Sequence, residues 1–124
     1  MKRSLKKYTI LIIDDDIDLG HMLTFLLKSE YEVGVVHTLK DAEVYLGSHN
    51  PICIFLDKDL PDGNGIQFIP KLISENKKAK IIMMTSDDTI LTRQLAIQKG
   101  AIGFLAKPFS SKNFHNIIAS VLIA

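Results

Sequence analysis

Three consecutive aspartates, Asp14, Asp15 and Asp16, follow the apolar run Ile10–Ile13, and Asp57 and Asp59 follow a second such run, Ile52–Leu56. Thr85 and Ser86 close a third, Lys80–Met84, and Lys107 comes just after a fourth, Ile102–Leu105. Carboxylates held close together repel, so a site that gathers Asp14, Asp15 and Asp57 needs a proton or a cation to be tolerable. An all-oxygen donor set fits magnesium, which keeps several waters and binds through one or two carboxylates plus a phosphate. No His or Cys pairing points to zinc. An aspartate carboxylate beside such a metal can attack a phosphoryl group in line and form an acyl phosphate. Charge growing on the phosphoryl oxygens would be shared by the metal and the Lys107 ammonium, with Thr85 donating a hydrogen bond.

Each of these residues has a plainer role when taken alone. An aspartate ahead of a helix is most often an N-cap, although three in succession cannot all cap. Pro61-Asp62-Gly63 is a turn signal before a helix. Thr85 or Ser86 alone could cap a helix, and Lys107 alone would be a solvated lysine. Their joint position at the ends of apolar runs is what raises them. His21, His37, His49 and His115 are scattered without ligand spacing and read as surface or packing residues.

A site of this kind needs elements that bring distant run ends to one edge. Five apolar runs predict strands at Tyr8–Ile13, Glu32–Val36, Ile52–Leu56, Lys80–Met84 and Ile102–Leu105. All but Glu32–Val36 are nearly continuous in apolar residues, as expected when helices cover both faces of a parallel sheet. Helical spacing falls between them, at Ile17–Ser29, Leu39–Ser48, Gly65–Asn76, Thr89–Lys99 and Lys112–Leu122. Thr38 with Asp41 resembles a capping box, Gly100 stands at a helix stop, and Pro70 should kink the third helix. Strand and helix alternate five times, which implies right-handed crossovers and a doubly wound α/β fold. In such folds the functional crevice lies beyond the carboxyl ends of the strands.

The length of 124 residues suits one domain, and 47% hydrophobic with 23% charged residues is the composition of a folded chain. Lys2, Arg3, Lys6 and Lys7 contribute +4 to a net charge of +1, so the rest of the chain carries −3. Residues 1–7 read as a basic N-terminal tail and 8–124 as the domain. A slightly acidic domain is a poor surface for nucleic acid. The single Cys53 excludes a disulfide framework and suits a reducing cytoplasm. Only four apolar residues separate the basic start from the aspartates, too few for a secretory signal or a membrane span. The apolar ending Ile117–Ala124 suits a chain that continues into a further domain of a longer regulator.

Taken together, Ile10-Leu11-Ile12-Ile13-Asp14-Asp15-Asp16, Phe55-Leu56-Asp57-Lys58-Asp59-Leu60-Pro61-Asp62-Gly63, Met84-Thr85-Ser86 and Ala106-Lys107-Pro108-Phe109 resemble the response-regulator receiver family. The resemblance covers nearly the whole chain. It implies a flavodoxin-like (βα)5 fold, a five-stranded parallel sheet of order 2-1-3-4-5. It also implies Asp57 as phosphoacceptor, with Asp14, Asp15, Asp57 and the backbone carbonyl of Asp59 holding Mg2+. Lys107 would contact the phosphoryl group, and the Lys107–Pro108 bond would be cis, a state confined mainly to X–Pro. Thr85 and Phe104 would be the switch residues, and Asp59 and Asp87 would tune the phosphoryl lifetime. A population shift would remodel the face of the fourth helix, fifth strand and fifth helix.

The implied partners are a sensor histidine kinase or a histidine phosphotransfer protein. The chain would promote only its own phosphorylation and dephosphorylation, in the cytoplasm, with no contact to nucleic acid or membrane. One departure is Lys58, at a position where the family usually carries an apolar residue. Two rivals share these motifs. A haloacid-dehalogenase-type phosphatase would use Asp57 and Asp59 as an Asp-x-Asp pair, but it needs an acidic motif after the lysine, and the chain has no Asp or Glu beyond Asp88. A pseudo-receiver that only docks partners would ordinarily lose the acceptor or the acidic pair, and this chain keeps both.

Overall fold

The computed structural model describes residues 7–123, so all of the basic tail but Lys7 lies outside the described residues. Five strands make one parallel sheet: β1 Thr9–Ile13, β2 Glu32–Val36, β3 Cys53–Asp57, β4 Lys80–Thr85 and β5 Gly103–Ala106. Their order is β2-β1-β3-β4-β5, the expected doubly wound arrangement. Helices α1 Ile17–Leu27, α2 Leu39–Leu46, α3 Gly65–Glu75, α4 Ile90–Lys99 and α5 Ser111–Ile118 follow the strands in turn, and a π-helical stretch, Ala119–Ile123, extends α5.

The apolar runs are continuous because alternate residues feed two separate cores. Leu11, Ile13, Ile54, Leu56, Ile81 and Met83 pack with residues of α2, α3 and α4. Ile10, Ile12, Cys53, Phe55, Ile82 and Met84 pack on the other face with Leu23 and Leu27 of α1 and Phe114 and Ile118 of α5. Period-two alternation thus serves two hydrophobic layers at once. Strand β2 is one of the two edges, paired only with β1, and carries the exposed Glu32. Cys53 is buried in the second layer, and that burial pushes its thiol up to about 12, which leaves it a packing residue.

Helix starts follow the side-chain signals. Asp16, Thr38, Asn64, Thr89 and Ser110 each cap a helix by accepting a main-chain N–H. Gly100 ends α4 at φ 124°, where glycine carries no Cβ penalty. Helix α3 continues through Pro70, which stands on its exposed side.

Boundaries differ from the sequence reading by a residue or two. β3 and β4 end on Asp57 and Thr85 themselves, because main-chain ladder bonds continue past the last apolar side chain. Asp57 pairs with Met84, and Thr85 with Ala106. β5 begins at Gly103 instead of Ile102. The turn at Pro61-Asp62 lies inside an unforeseen antiparallel pair, Asp59–Leu60 with Gly63–Asn64. The final helix changes winding at Ala119 instead of running uniformly to Leu122.

Candidate functional site

The carboxyl edge of the sheet gathers the residues singled out by type. Asp14 follows β1, is fully buried, and is anchored through its N–H to the Val36 carbonyl at 3.0 Å. One of its carboxylate oxygens accepts the Asp16 N–H at 2.9 Å, and the other accepts Lys107 Nζ at 2.7 Å. Asp57, the last residue of β3, is 6% exposed, and its Oδ1 lies 3.6 Å from Lys107 Nζ. Asp15 is exposed, yet carboxylate oxygens of Asp14, Asp15 and Asp57 all lie within 4.8 Å of one another. The three aspartates in a row therefore divide their work: Asp16 caps α1, while Asp14 and Asp15 face Asp57.

The electrostatics follow from this crowding. Burial, then the nearby Asp14 charge, pushes the Asp57 carboxyl up from 3.8 to about 6, although Lys107 and the Asp59 N–H pull the other way. Burial alone would lower Lys107, but its hydrogen bond to Asp14 and the charges of Asp14 and Asp57 outweigh that and raise it. One ammonium, set against Asp14 and Asp57, cannot balance three clustered carboxylates, and the net negative, oxygen-rich pocket that remains fits a hard dication.

Two local features set the geometry. A Cβ on Gly65 would collide with the Asp57 carbonyl oxygen, so only glycine lets the start of α3 pass against the end of β3. The Gly65 N–H bonds the Lys58 carbonyl at 2.7 Å, which closes the loop carrying Asp59. At the other end, the Lys107 N–H bonds the Thr85 carbonyl at 2.9 Å, and the Lys107–Pro108 peptide is cis.

Thr85 is 1% exposed, and its hydroxyl accepts the Asp87 N–H at 3.1 Å. Asp87 meets Lys58 Nζ at 2.8 Å, Thr92 Oγ1 at 2.8 Å and Thr89 Oγ1 at 3.1 Å. The Lys58 hydrogen bond first, then those of Thr92 and Thr89, holds Asp87 down to about 2. The negative charge expected from Asp87 is therefore matched by Lys58, and Asp59 is left as the exposed acidic side chain of the pair. Phe104 is half-buried on β5, with the Arg93 guanidinium carbon 4.5 Å from its ring centroid. Arg93 is in turn bonded to Asp88.

Several contacts had no signal in the sequence. Lys58 and Asp87 are 29 residues apart and meet only because β3 and β4 are neighbours. Asp62, read as a turn residue, also accepts the Leu39 and Lys40 N–H groups at 2.8 and 3.0 Å and so caps α2 from a distance. Those two hydrogen bonds hold its carboxyl below the usual range. His37 Nδ1 lies 2.9 Å from the Asp14 carbonyl oxygen, a contact that requires the proton on Nδ1.

The model of the response regulator receiver domain family matches residues 10–119. The transcriptional regulatory protein CitB of Klebsiella pneumoniae is 34% identical over 103 residues, which is 81% of this chain and 44% of CitB. A response regulator protein from Burkholderia pseudomallei, solved with a phosphorylated aspartic acid, calcium and citrate, has a TM-score of 0.82 at 27% identity, over 93% of this chain and 66% of that one. The chemotaxis protein CheY4 of Vibrio cholerae superposes with a TM-score of 0.86 at 25% identity, over 94% of this chain and 99% of CheY4. The chain spans about half or less of the length of the curated relatives it matches.

Proposed function

The chain belongs to the response regulator receiver domain family, and from that premise we propose that Asp57 accepts a phosphoryl group from a histidine kinase or histidine phosphotransfer protein. The observation that carries this is the convergence of Asp14, Asp15 and Asp57 within 4.8 Å, with Lys107 Nζ set against Asp14 and Asp57. The Asp57 carboxylate attacks the phosphorus in line, and the donor's bond to phosphorus breaks as the acyl phosphate forms. Lys107 meets the growing charge on the phosphoryl oxygens. Asp14, Asp15, Asp57 and the Asp59 backbone carbonyl would hold Mg2+, which when bound offsets the carboxylate and phosphoryl charge.

In the phosphorylated state Thr85 turns its hydroxyl to the phosphoryl group and Phe104 follows it inward. The face of α4, β5 and α5 then changes for its partners. Asp59 and Asp87 flank the acceptor and tune how long the acyl phosphate lasts. The domain promotes only its own phosphorylation and dephosphorylation, works in the cytoplasm, and passes its signal to an output domain or protein. Among the described residues no helix is long and apolar enough to cross a membrane.

Incubation with acetyl phosphate and magnesium, followed by intact mass, tests this reading. The expected result is an adduct of one phosphoryl group that requires magnesium and is absent from Asp57→Asn. Steady hydrolysis of phosphate esters without an adduct would indicate a phosphatase, and no reaction a domain that only docks; either overturns the proposal.

A further inference from the structure

Lys58, an unusual residue at its position, is fastened to the segment between β4 and α4. Lys58 leaves the end of β3 between Asp57 and Asp59, and its ammonium reaches Asp87 Oδ2 at 2.8 Å. Both side chains are partly shielded, at 22% and 32% exposure. The same Asp87 oxygen accepts Thr92 Oγ1 from the first turn of α4, and the other accepts Thr89 Oγ1. The Asp87 N–H in turn donates to the Thr85 hydroxyl at 3.1 Å. One aspartate therefore ties together the end of β3, the start of α4 and the hydroxyl at the end of β4.

We propose that Lys58 is a positioning residue: through its ion pair with Asp87 it holds the segment 85–89 and the Thr85 hydroxyl in the unphosphorylated arrangement, and phosphorylation of Asp57 must undo that pair. The inference rests on Asp57 being the acceptor. Thr85 Oγ1 moves toward a phosphoryl group on Asp57 against its hydrogen bond from the Asp87 N–H, and Asp87 is itself held in place through its carboxylate by Lys58, Thr89 and Thr92. The phosphorylated state therefore forms at the expense of the Lys58–Asp87 pair, and the segment is released as that pair breaks. The plainer account is a surface ion pair of little consequence. It differs in what it expects of the two partners, because a simple local field gives opposite signs for removing a cation and removing an anion, whereas a latch gives the same sign.

The test is a titration of the full chain with beryllofluoride, a phosphoryl mimic, in saturating magnesium, followed by 1H–15N spectra of the Thr85–Thr89 amides. Both Lys58→Met and Asp87→Asn should bind it about two- to fivefold more tightly than the wild type, the range of a partly exposed pair. Their free spectra should move toward the bound wild-type positions, and Lys58→Arg should retain wild-type affinity. Weaker or unchanged binding by Lys58→Met overturns the latch while leaving the acceptor reading intact. A wild-type protein that takes up no beryllofluoride overturns the acceptor reading and the latch with it.

Discussion

Replacing Asp57 with asparagine should make the metal-free protein more stable, although it abolishes the proposed chemistry. The Asp57 carboxyl is nearly buried beside Asp14, and its value is raised from 3.8 to about 6. The folded state therefore holds this proton more tightly than the unfolded state. Stability is full below about pH 4, falls as pH rises to about 6, and is level above that. At 1.36 kcal/mol per unit, the ionised side chain costs the fold roughly 3 kcal/mol at neutral pH. The neutral amide would remove that cost without stranding Lys107, which keeps its 2.7 Å bond to Asp14. The shift already includes the Lys107 attraction; because an amide does not reproduce the hydrogen bonds of a protonated carboxyl, the net gain is about 1–3 kcal/mol, or roughly 3–10 °C in Tm for a chain of this size.

Thermal unfolding in EDTA at pH 7.5 and at pH 4.5 measures it, with a clear gain for Asp57→Asn at the higher pH and a smaller one at the lower. Magnesium should then raise the Tm of the wild type more than that of the variant, because a ligand stabilises only the state that binds it. A variant no more stable than the wild type at pH 7.5 would refute the claim that crowded carboxylates strain the apo site.

Gly65→Ala should cost about 1–3 kcal/mol in denaturant unfolding, because its methyl group meets the main chain of Asp57 and neither can move aside cheaply. It should also weaken magnesium binding by calorimetry, since the same close approach fixes the Asp59 loop. Asp62→Ala should lower Tm by a few degrees while leaving phosphorylation by acetyl phosphate unchanged. Its carboxylate caps α2 and touches none of the site aspartates.

The fold was legible wherever a single physical cause dominates. Continuous apolar runs in β1, β3 and β4 reveal strands buried on both faces, and alternation with helical spacing reveals their parallel pairing. Strand ends were less legible, since Asp57 and Thr85 are polar yet remain in the ladder, and side-chain polarity says nothing about main-chain bonds. At the site, Asp14, Asp15, Asp57 and Lys107 were found by position after a strand, and the structure does bring them together. The Lys58–Asp87 pair, the Asp62 cap on α2 and the His37 contact to Asp14 join segments that are distant in the chain. Nothing local marks them; they emerge only once strand order is known. Lys58 did register as an unusual residue, but its partner could not be named until β3 and β4 were placed side by side.

The most direct test of the central claim is where the phosphoryl group goes. After reaction with acetyl phosphate and magnesium, borohydride reduces an acyl phosphate to the alcohol, and peptide mapping then locates it. Homoserine is expected in place of Asp57 and of no other aspartate. Homoserine at Asp14, Asp15 or Asp59 with Asp57 unmodified would contradict it.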